Sequence, residues 1–181
     1  MLYEFRDLNN KNLPRRGKYL RYYLLGIIDA EACFNVSLKQ LSTARFGWVI
    51  DPVFTVTQHK NNRIVLELLR RTLNCGRIIE KHGQKDLLVF VIDNRRQLRE
   101  KLIPFLTKYK PIIKQKDFEL FKTIVLKLEE KQHQSFEGFK QIIDLVFQMN
   151  LQGKQRRYSK RFVLKTARDR DPQRLYAEHP G

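Results

Sequence analysis

The chain has 181 residues, 42% of them hydrophobic and 11% aromatic, and its 36 Lys+Arg outnumber 19 Asp+Glu to give a formal net charge of +17. That apolar share supports a packed core and excludes a wholly disordered chain, and no apolar run approaches the roughly 18 residues that cross a bilayer, so no membrane partner is expected. Cys33 and Cys75 are too few for a disulfide framework or a four-ligand zinc site, and Met1–Asp7 lacks the charged and apolar regions of a secretory signal, so the expected compartment is intracellular and reducing.

Residues 1–16 are polar and basic, with Pro14, and read as an N-terminal arm. Residues 18–30 read as an apolar helix in which Tyr22, Leu25 and Ile28 or Asp29 share one stripe at 3.6-residue periodicity. Phe34 to Lys39 alternates strictly, which directs Phe34, Val36 and Leu38 to a core and Asn35, Ser37 and Lys39 outward. Residues 49–58 read as a second strand, with Phe54 and Val56 on one face and Thr55 and Thr57 on the other. A helix over 62–74 carries Ile64, Leu68 and Leu69, with Gly76 as its stop. Arg77–Lys81 and Leu87–Ile92 read as a hairpin with Gly83 in the connection. A helix from about Gln97 to Leu106 contains Pro104, where a local break is expected. Residues 115–130 bring Phe118, Phe121, Ile124/Val125 and Leu128 to one helical face. Ser135 is read as the N-cap of the next helix and Ser159 as the cap of a last short one. The order is αββαββα with further C-terminal helices: an α+β fold with helices on one face of a curved antiparallel sheet. The expected organisation is an arm over 1–16, a core over 17–151 and a basic extension over 152–181, with no long-period repeat.

A surplus of this size predicts a polyanionic partner, because neutralising phosphates releases condensed counterions. Its densest run, Lys154 to Arg174, holds nine basic residues against Asp169 and Asp171; such a run positions a protein on phosphates and reads no sequence. The free sheet face, with Asn35, Ser37, Lys39, Thr55 and Thr57, offers donors and acceptors at alternate positions. A strand ribbon fits the major groove, where base edges carry a distinct code; on a less basic chain the same side chains would read as simply solvated.

The strongest local signal is Leu24-Leu25-Gly26-Ile27-Ile28-Asp29-Ala30-Glu31-Ala32-Cys33-Phe34. It resembles the LAGLIDADG motif of homing endonucleases, at the end of the first helix and followed by a strand. Gln58-His59-Lys60-Asn61-Asn62 resembles the family's strand-to-helix junction, Lys114-Gln115-Lys116 its basic stretch, and residues 147–161 a C-terminal segment of several members. The resemblance covers most of 18–162. Two positions depart from it. Leu25 stands where Ala is usual, and Ala32 where Gly is usual, putting a Cβ where the chain leaves the helix; a positive φ there would strain Ala and misplace the neighbouring acid.

Read by itself, Glu31 is an acid at a helix C-terminus, next to the negative end of the macrodipole and two residues from Asp29. It is either a solvated acid or an invitation to a cation, and Mg²⁺ takes one or two carboxylates plus phosphate oxygens and water. The resemblance implies the second. It makes Glu31 the catalytic acid and metal ligand, with the Ala30 carbonyl as a further ligand, Gln58 and Lys114 as the surrounding catalytic residues, and Asp29 orienting the junction. It implies Mg²⁺ as cofactor, with Mn²⁺ or Ca²⁺ able to replace it in binding. One motif implies one such acid, so cutting both strands calls for a homodimer with Tyr22, Leu25, Gly26 and Asp29 at the seam; Gly26 and Ala30 share the face that permits close helix approach.

A twofold dimer implies a long pseudo-palindromic target in double-stranded DNA. The expected readers are Asn35, Ser37, Lys39, Thr55, Thr57, Arg77 and Lys81, with Lys154, Arg156, Arg157 and Lys160 gripping phosphates. The implied activity is double-strand cleavage that promotes intron mobility, in an organelle (chloroplast or mitochondrion) or a bacterial cytoplasm. The rival readings are an RNA maturase acting on intron RNA and a DNA-binding protein that does not cut.

Overall fold

The computed structural model describes residues 17–149 and 157–171. The expected arm over 1–16 and two of the expected phosphate contacts, Lys154 and Arg156, lie outside those residues. Helix α1 (Lys18–Glu31) buries Leu20, Leu24 and Ile28 at four-residue spacing. Of the stripe read from the sequence only Ile28 is buried; Leu25 and Asp29 are half-buried and Tyr22 is 48% exposed. The helix is apolar on two faces, and among the described residues only the Leu20–Leu24–Ile28 face is buried.

Strand β1 (Ala32–Gln40) follows α1 with no intervening loop. Ala32 has φ −75° and ψ 151°, ordinary extended backbone, and its N–H bonds to the Ile28 carbonyl. The expected strain at this departure from the motif is therefore absent, because the chain leaves the helix through a conformation that any L-residue adopts. Phe34 and Val36 are buried as the alternation predicts, whereas Leu38, nearer the end of the strand, is only half-buried.

Strand β2 (Trp48–His59) alternates along its length, burying Trp48, Ile50, Phe54 and Val56. One 3₁₀ turn (Lys60–Asn62) leads into α2 (Arg63–Leu73), which buries Leu66, Leu68, Leu69 and Leu73 and leaves Ile64 half-buried. Strands β3 (Arg77–Lys81) and β4 (Gln84–Ile92) meet through His82-Gly83, with Gly83 at φ +73°, a left-handed conformation that glycine adopts at little cost. The sheet order is β1-β2-β4-β3.

After β4, α3 (Arg95–Gln97) is capped by the Asn94 side chain and runs through a π-helical turn (Leu98–Leu102) into α4 (Ile103–Tyr109). The expected break at Pro104 is not there. The π turn widens the helix one step earlier, and Pro104 falls in the first turn of α4, where a missing N–H costs least. Helices α5 (Gln115–Glu129), α6 (Phe136–Gln148) and α7 (Lys160–Arg168) complete the order. Both serine caps are as predicted: Ser135 Oγ accepts from the Gly138 N–H at 3.1 Å and Ser159 Oγ from the Phe162 N–H at 3.2 Å. The fold is α+β, αββαββα followed by further helices. Among the described residues no helix is long and apolar enough to cross a membrane.

The chain forms two compact units and passes between them inside β1, β2 and α5. The first holds described residues 17–34 and 53–118. Its core joins Phe34 to Phe54 (ring centroids 5.3 Å apart) and Phe118 (5.9 Å), and Phe54 to Phe90 (6.5 Å). Leu24, Ile28, Leu66, Leu69, Leu98 and Leu106 are fully buried in the same unit. The second holds 35–52 with described residues 119–149 and 157–171. There Phe46 packs on Phe136 and Phe139, and Trp48 on Tyr158 and Phe162.

Gly76 enters β3 with φ +77°, and a Cβ there would stand 2.5 Å from the Phe90 ring and 2.9 Å from the Val91 carbonyl oxygen. Gly76→Ala combines a left-handed backbone penalty with overpacking against a fully buried ring, so a loss of about 2–4 kcal/mol is expected. A urea titration followed by circular dichroism checks this; an unchanged midpoint would refute it.

Candidate active site and nucleic-acid surface

Glu31 closes α1, and its carboxylate is exposed, with no hydrogen bond or ion pair to another described residue. Asp29, two residues earlier, is bound tightly. Its Oδ2 accepts the N–H of Ile112 (2.9 Å) and of Ile113 (3.0 Å), and its Oδ1 accepts that of Lys114 (2.9 Å). These amides lie in the turn that opens α5, so a carboxylate at the negative end of one helix is satisfied at the positive end of another. Partial burial works against the charge, but the three N–H bonds and the nearby Lys114 ammonium outweigh it and hold the Asp29 carboxyl below its usual range. The arrangement fixes Lys114, half-buried, at the same end of α1 as Glu31.

Gln58 stands at the end of β2, half-buried and on the face of Phe54 and Val56. Its Oε1 accepts from Asn62 Nδ2 at 3.3 Å, which ties its side chain to the first turn before α2. Among the described residues no cluster of three or more His, Cys, Asp or Glu could hold a metal ion by itself. The donors that do fit a hard cation are the Glu31 carboxylate and the carbonyls of the last α1 turn, Ala30 among them, which have no onward helical partner. One chain thus supplies a partial shell that phosphate oxygens and water would complete.

The register of the first unit puts Thr55, Val91 and Arg77 in one row across three strands, and Thr57, Val89 and Ile79 in the next. These rows face away from Phe54, Val56 and Phe90. Thr55 and Thr57 are half-buried, Arg77 is exposed, and Ile79 is 43% exposed. The face is therefore less polar than the sequence alternation implied, with an apolar strip between its Thr and Arg edges. Arg77 is bidentate to Asp93, at 2.6 Å from each nitrogen, and the pair raises the Arg77 pKa above its ordinary value. Lys81 is exposed beyond a register shift in the β3–β4 pairing.

In the second unit Asn35 is exposed, Ser37 half-buried, and Lys39 pairs with Asp51 at 2.5 Å. Lys160, at the start of α7, pairs with Asp144, and the Arg157 guanidinium lies 5.4 Å from the centroid of the Tyr158 ring. Three of the expected phosphate or base contacts thus already have acidic partners. Exposed pairs of this kind are worth about 0–1 kcal/mol each, little enough for a phosphate to compete.

Of the residues expected at a dimer seam, Tyr22 and Gly26 lie on the exposed side of α1 and Leu25 on its flank, whereas the Asp29 carboxylate is engaged by the 112–114 turn of its own chain. Tyr22 stands edge-on to Tyr109 at 5.6 Å and Leu25 is half-buried. Gly26 is exposed, and a Cβ built on it would meet nothing within 4 Å. Tyr19 (88% exposed), Tyr23 (48%) and the exposed Ala30 extend that face. Sequence reasoning did not find the bond from Asp29 to the 112–114 turn, because its ends are more than 80 residues apart. The one available signal was Pro111-Ile112-Ile113, an apolar pair that no strand or helix pattern claimed.

Because the folded pKa of Asp29 is lowered, its stabilisation is present above the unfolded pKa and is lost as pH falls through the folded one. Asp29→Asn should cost about 1 kcal/mol near pH 7, after allowance for solvent screening, and the variant and wild type should converge as the pH is lowered from neutrality through the acidic range in which the folded Asp29 takes up its proton. Denaturant midpoints across that range check the convergence. A constant gap at all pH values would show that the charge is not the stabilising feature.

The "LAGLIDADG endonuclease" family model matches residues 24–125, more than half of the chain. The DNA endonuclease I-CeuI of Chlamydomonas moewusii is 46% identical over 89 residues, which are 49% of this chain and 41% of that protein, so the match spans less than half of that relative. The homing endonuclease I-ApeII of Aeropyrum pernix is 38% identical over 118 residues, 65% of this chain and 70% of that one. Among solved structures, the archaeal intron-encoded homing endonuclease I-Vdi141I complexed with DNA superposes with a TM-score of 0.80 at 36% identity, covering 84% of this chain and 97% of that one. The I-CeuI complex with DNA superposes with a TM-score of 0.78 at 33% identity, covering 83% and 77%. The matched region holds Glu31, Gln58 and Lys114 together, and the chain belongs to the LAGLIDADG endonuclease family.

Proposed function

We propose that this protein is a site-specific DNA endonuclease that cuts both strands of a long, pseudo-palindromic duplex as a homodimer, in an intracellular compartment, and so promotes the mobility of an intron. The observation that carries the reading is the end of α1: an exposed Glu31 carboxylate beside a Lys114 that Asp29 fixes in place. Family membership and the DNA complexes of the solved relatives I-Vdi141I and I-CeuI support DNA as the substrate class.

Glu31 and the Ala30 carbonyl would hold a divalent cation, Mg²⁺ in the cell. Bound there, the ion supplies charge stabilisation at the phosphate and lowers the pKa of a coordinated water. Gln58, its rotamer held by Asn62, positions solvent at the phosphate. The Lys114 ammonium opposes the negative charge that grows on the phosphoryl oxygens. The bond that breaks is P–O3′, leaving a 3′-hydroxyl on one fragment and a 5′-phosphate on the other. Thr55, Thr57 and Arg77 read or grip the duplex from the first unit, with the methyl groups around Ile79 and Val91 suited to thymine. Asn35, Ser37 and Lys39 do so from the second, and Lys160 and Arg157 add phosphate contacts.

The homodimer accounts for an otherwise unexplained feature of α1. Tyr19, Tyr22, Tyr23, Gly26 and Ala30 form an exposed face, and nothing among the described residues requires glycine at 26. A second copy of the helix, packed closely along that face, does. It also brings a second Glu31 to the assembly, one for each strand.

Two outcomes follow. Wild-type protein with Mg²⁺ should linearise a supercoiled plasmid carrying the intronless allele of the host gene, whereas Glu31→Gln should bind the same DNA and cut at least about 10³-fold more slowly. Binding by both proteins with cleavage by neither would refute the endonuclease and leave the RNA maturase or the non-cutting binder. Gly26→Leu should leave the fold intact, since the added side chain enters open space, but should sediment as a monomer and lose double-strand cleavage; a variant that remains dimeric would refute the seam.

A further inference from the structure

We infer that α7 and the residues beside it form a clamp on the β1–β2 turn, and that Thr166 and Arg170 are positioning residues for base recognition by that turn at the outer end of each half-site. This rests on the DNA-cutting reading above. The turn, residues 41–47, joins Gln40 to Trp48 and is closed by its own backbone: Leu41 N–H bonds to the Gly47 carbonyl (3.0 Å), Ala44 N–H to that of Leu41 (3.0 Å) and Gly47 N–H to that of Ala44 (2.8 Å). Ser42, Thr43 and Arg45 are exposed at its tip.

Both ends of the turn are held by residues from 158 to 170. On one side the Tyr158 hydroxyl donates to Gln40 Oε1 at 3.3 Å. On the other, Trp48 Nε1–H donates to Thr166 Oγ1 at 3.0 Å, and the indole stands edge-on to Tyr158 (4.9 Å) and Phe162 (6.2 Å), which stack on each other at 5.6 Å. The Arg170 side chain lies directly on Gly47, so that a Cβ there would come within 2.8 Å of its Nη1 and 2.9 Å of its Cδ. Gly47, at φ +75°, is the residue that lets an arginine lie flat on the turn. An open cleft of about 400 Å³, lined by Ser42, Phe46, Thr166 and Asp169 among others, remains between the turn and the helix.

A helix that only covered a core would need just its buried residues, Val163 and Ala167. The two hydrogen bonds and the Arg170 packing do something else: the bonds end on Gln40 and Trp48, which flank the turn, and the arginine lies on Gly47, its last residue. Thr166 is placed for this, because its hydroxyl donates back to the Phe162 and Val163 carbonyls (2.9 and 3.1 Å) and keeps its lone pair for the indole. A seven-residue turn that had to order itself on the DNA would lose affinity to that ordering, and a clamp supplies the order in advance. The location sets which bases are affected. β1 runs nine residues from Ala32, next to Glu31, to Gln40, and nine residues of strand span about 30 Å. The turn therefore lies at the end of β1 away from Glu31, and on the proposed reading its bases are outer ones and not those at the cut.

The test starts with cleavage selection from a randomised duplex pool by the wild-type protein, followed by single-base-pair substitutions across the selected site. Thr166→Val removes the acceptor with little change of shape, Thr166→Ser restores it, and Arg170→Ala frees Gly47. Relative to wild type, Thr166→Val and Arg170→Ala should raise KM about tenfold with kcat within about twofold, because the loss is in binding and not in chemistry. They should also tolerate substitutions in the outer third of each half-site while discriminating as before at the centre. Thr166→Ser should match the wild type. Emission from Trp48, the chain's single tryptophan, should shift to the red and quench more readily with acrylamide in both clamp variants before DNA is added. Discrimination lost equally at all positions, kcat falling in step with KM, or variants that match the wild type would each overturn the clamp. If Thr166→Val does not fold, Arg170→Ala, which alters an exposed side chain, decides the matter alone. A wild-type selection that enriches no sequence would overturn both this inference and the endonuclease reading, whereas an enriched site with unaltered variants would overturn only the clamp.

Discussion

A carboxylate near the C-terminus of a helix faces unpaired carbonyls and the negative end of the macrodipole, so it needs donors from elsewhere in the chain. Asp29 takes three of them from one turn, the amides of Ile112, Ile113 and Lys114. The consequences reach in both directions. The turn is pinned to the end of α1, so α5 starts at a fixed point and Lys114 stands where its charge can be used. The acidic end of α1 is relieved at the one carboxylate that is bound, while the other, Glu31, stays exposed. Two acids two residues apart thus differ in surroundings: one ties the turn to the helix, and the other, on the function proposed above, would take the cation. Removing the Asp29 carboxylate would leave the three amides of that turn without their acceptor.

The same logic of shared duty runs along α1. Its inner face, Leu20, Leu24 and Ile28, is fixed by burial. Its outer face keeps Tyr19, Tyr22, Tyr23 and Gly26 exposed, with one ring contact from Tyr22 to Tyr109, where an ordinary solvated surface would carry mostly charged side chains. Exposed apolar area of this kind, on a chain with a net charge of +17, is more costly than it looks, since like-charged copies repel each other. On the homodimer proposed above, association of two such chains would be favoured where a polyanion neutralises the surplus, and DNA binding and pairing of protomers would support each other for that reason.

What the sequence made legible follows from the range of the interactions involved. The motif Leu24–Phe34, the alternation through Phe34 and Val36, the caps at Ser135 and Ser159 and the hairpin at Gly83 are all set by residues within a few positions of one another, and all appear in the structure where the pattern puts them. The errors have a common cause as well. Pro104 was read as a break because the pattern could not show a π turn absorbing the change of pitch beforehand. Ala32 was read as a strain because the φ at that position depends on how α1 hands over to β1. The Asp29 bridge and the contacts of Trp48 with Thr166, Tyr158 and Phe162 join residues more than 80 apart. Composition can suggest that such partners exist; only the fold pairs them.

The C-terminal basic segment shows why charge alone is a poor guide to role. From the sequence, Lys154 to Arg174 is one run with one purpose, gripping phosphates. In the structure its described members part company. Lys160 pairs with Asp144, Arg157 lies over the Tyr158 ring, and Arg170 lies on Gly47. An arginine is suited to this last duty for the same reason that it suits a phosphate: its guanidinium is planar and weakly hydrated, so it can lie on backbone without a large desolvation cost. Half of such a run can therefore serve the shape of the protein while the other half serves its ligand, and the division is decided by which side chains find an acid, a ring or a bare glycine within reach. The positive field is kept in either case, since a cation held against its own protein still contributes to the potential that draws DNA in.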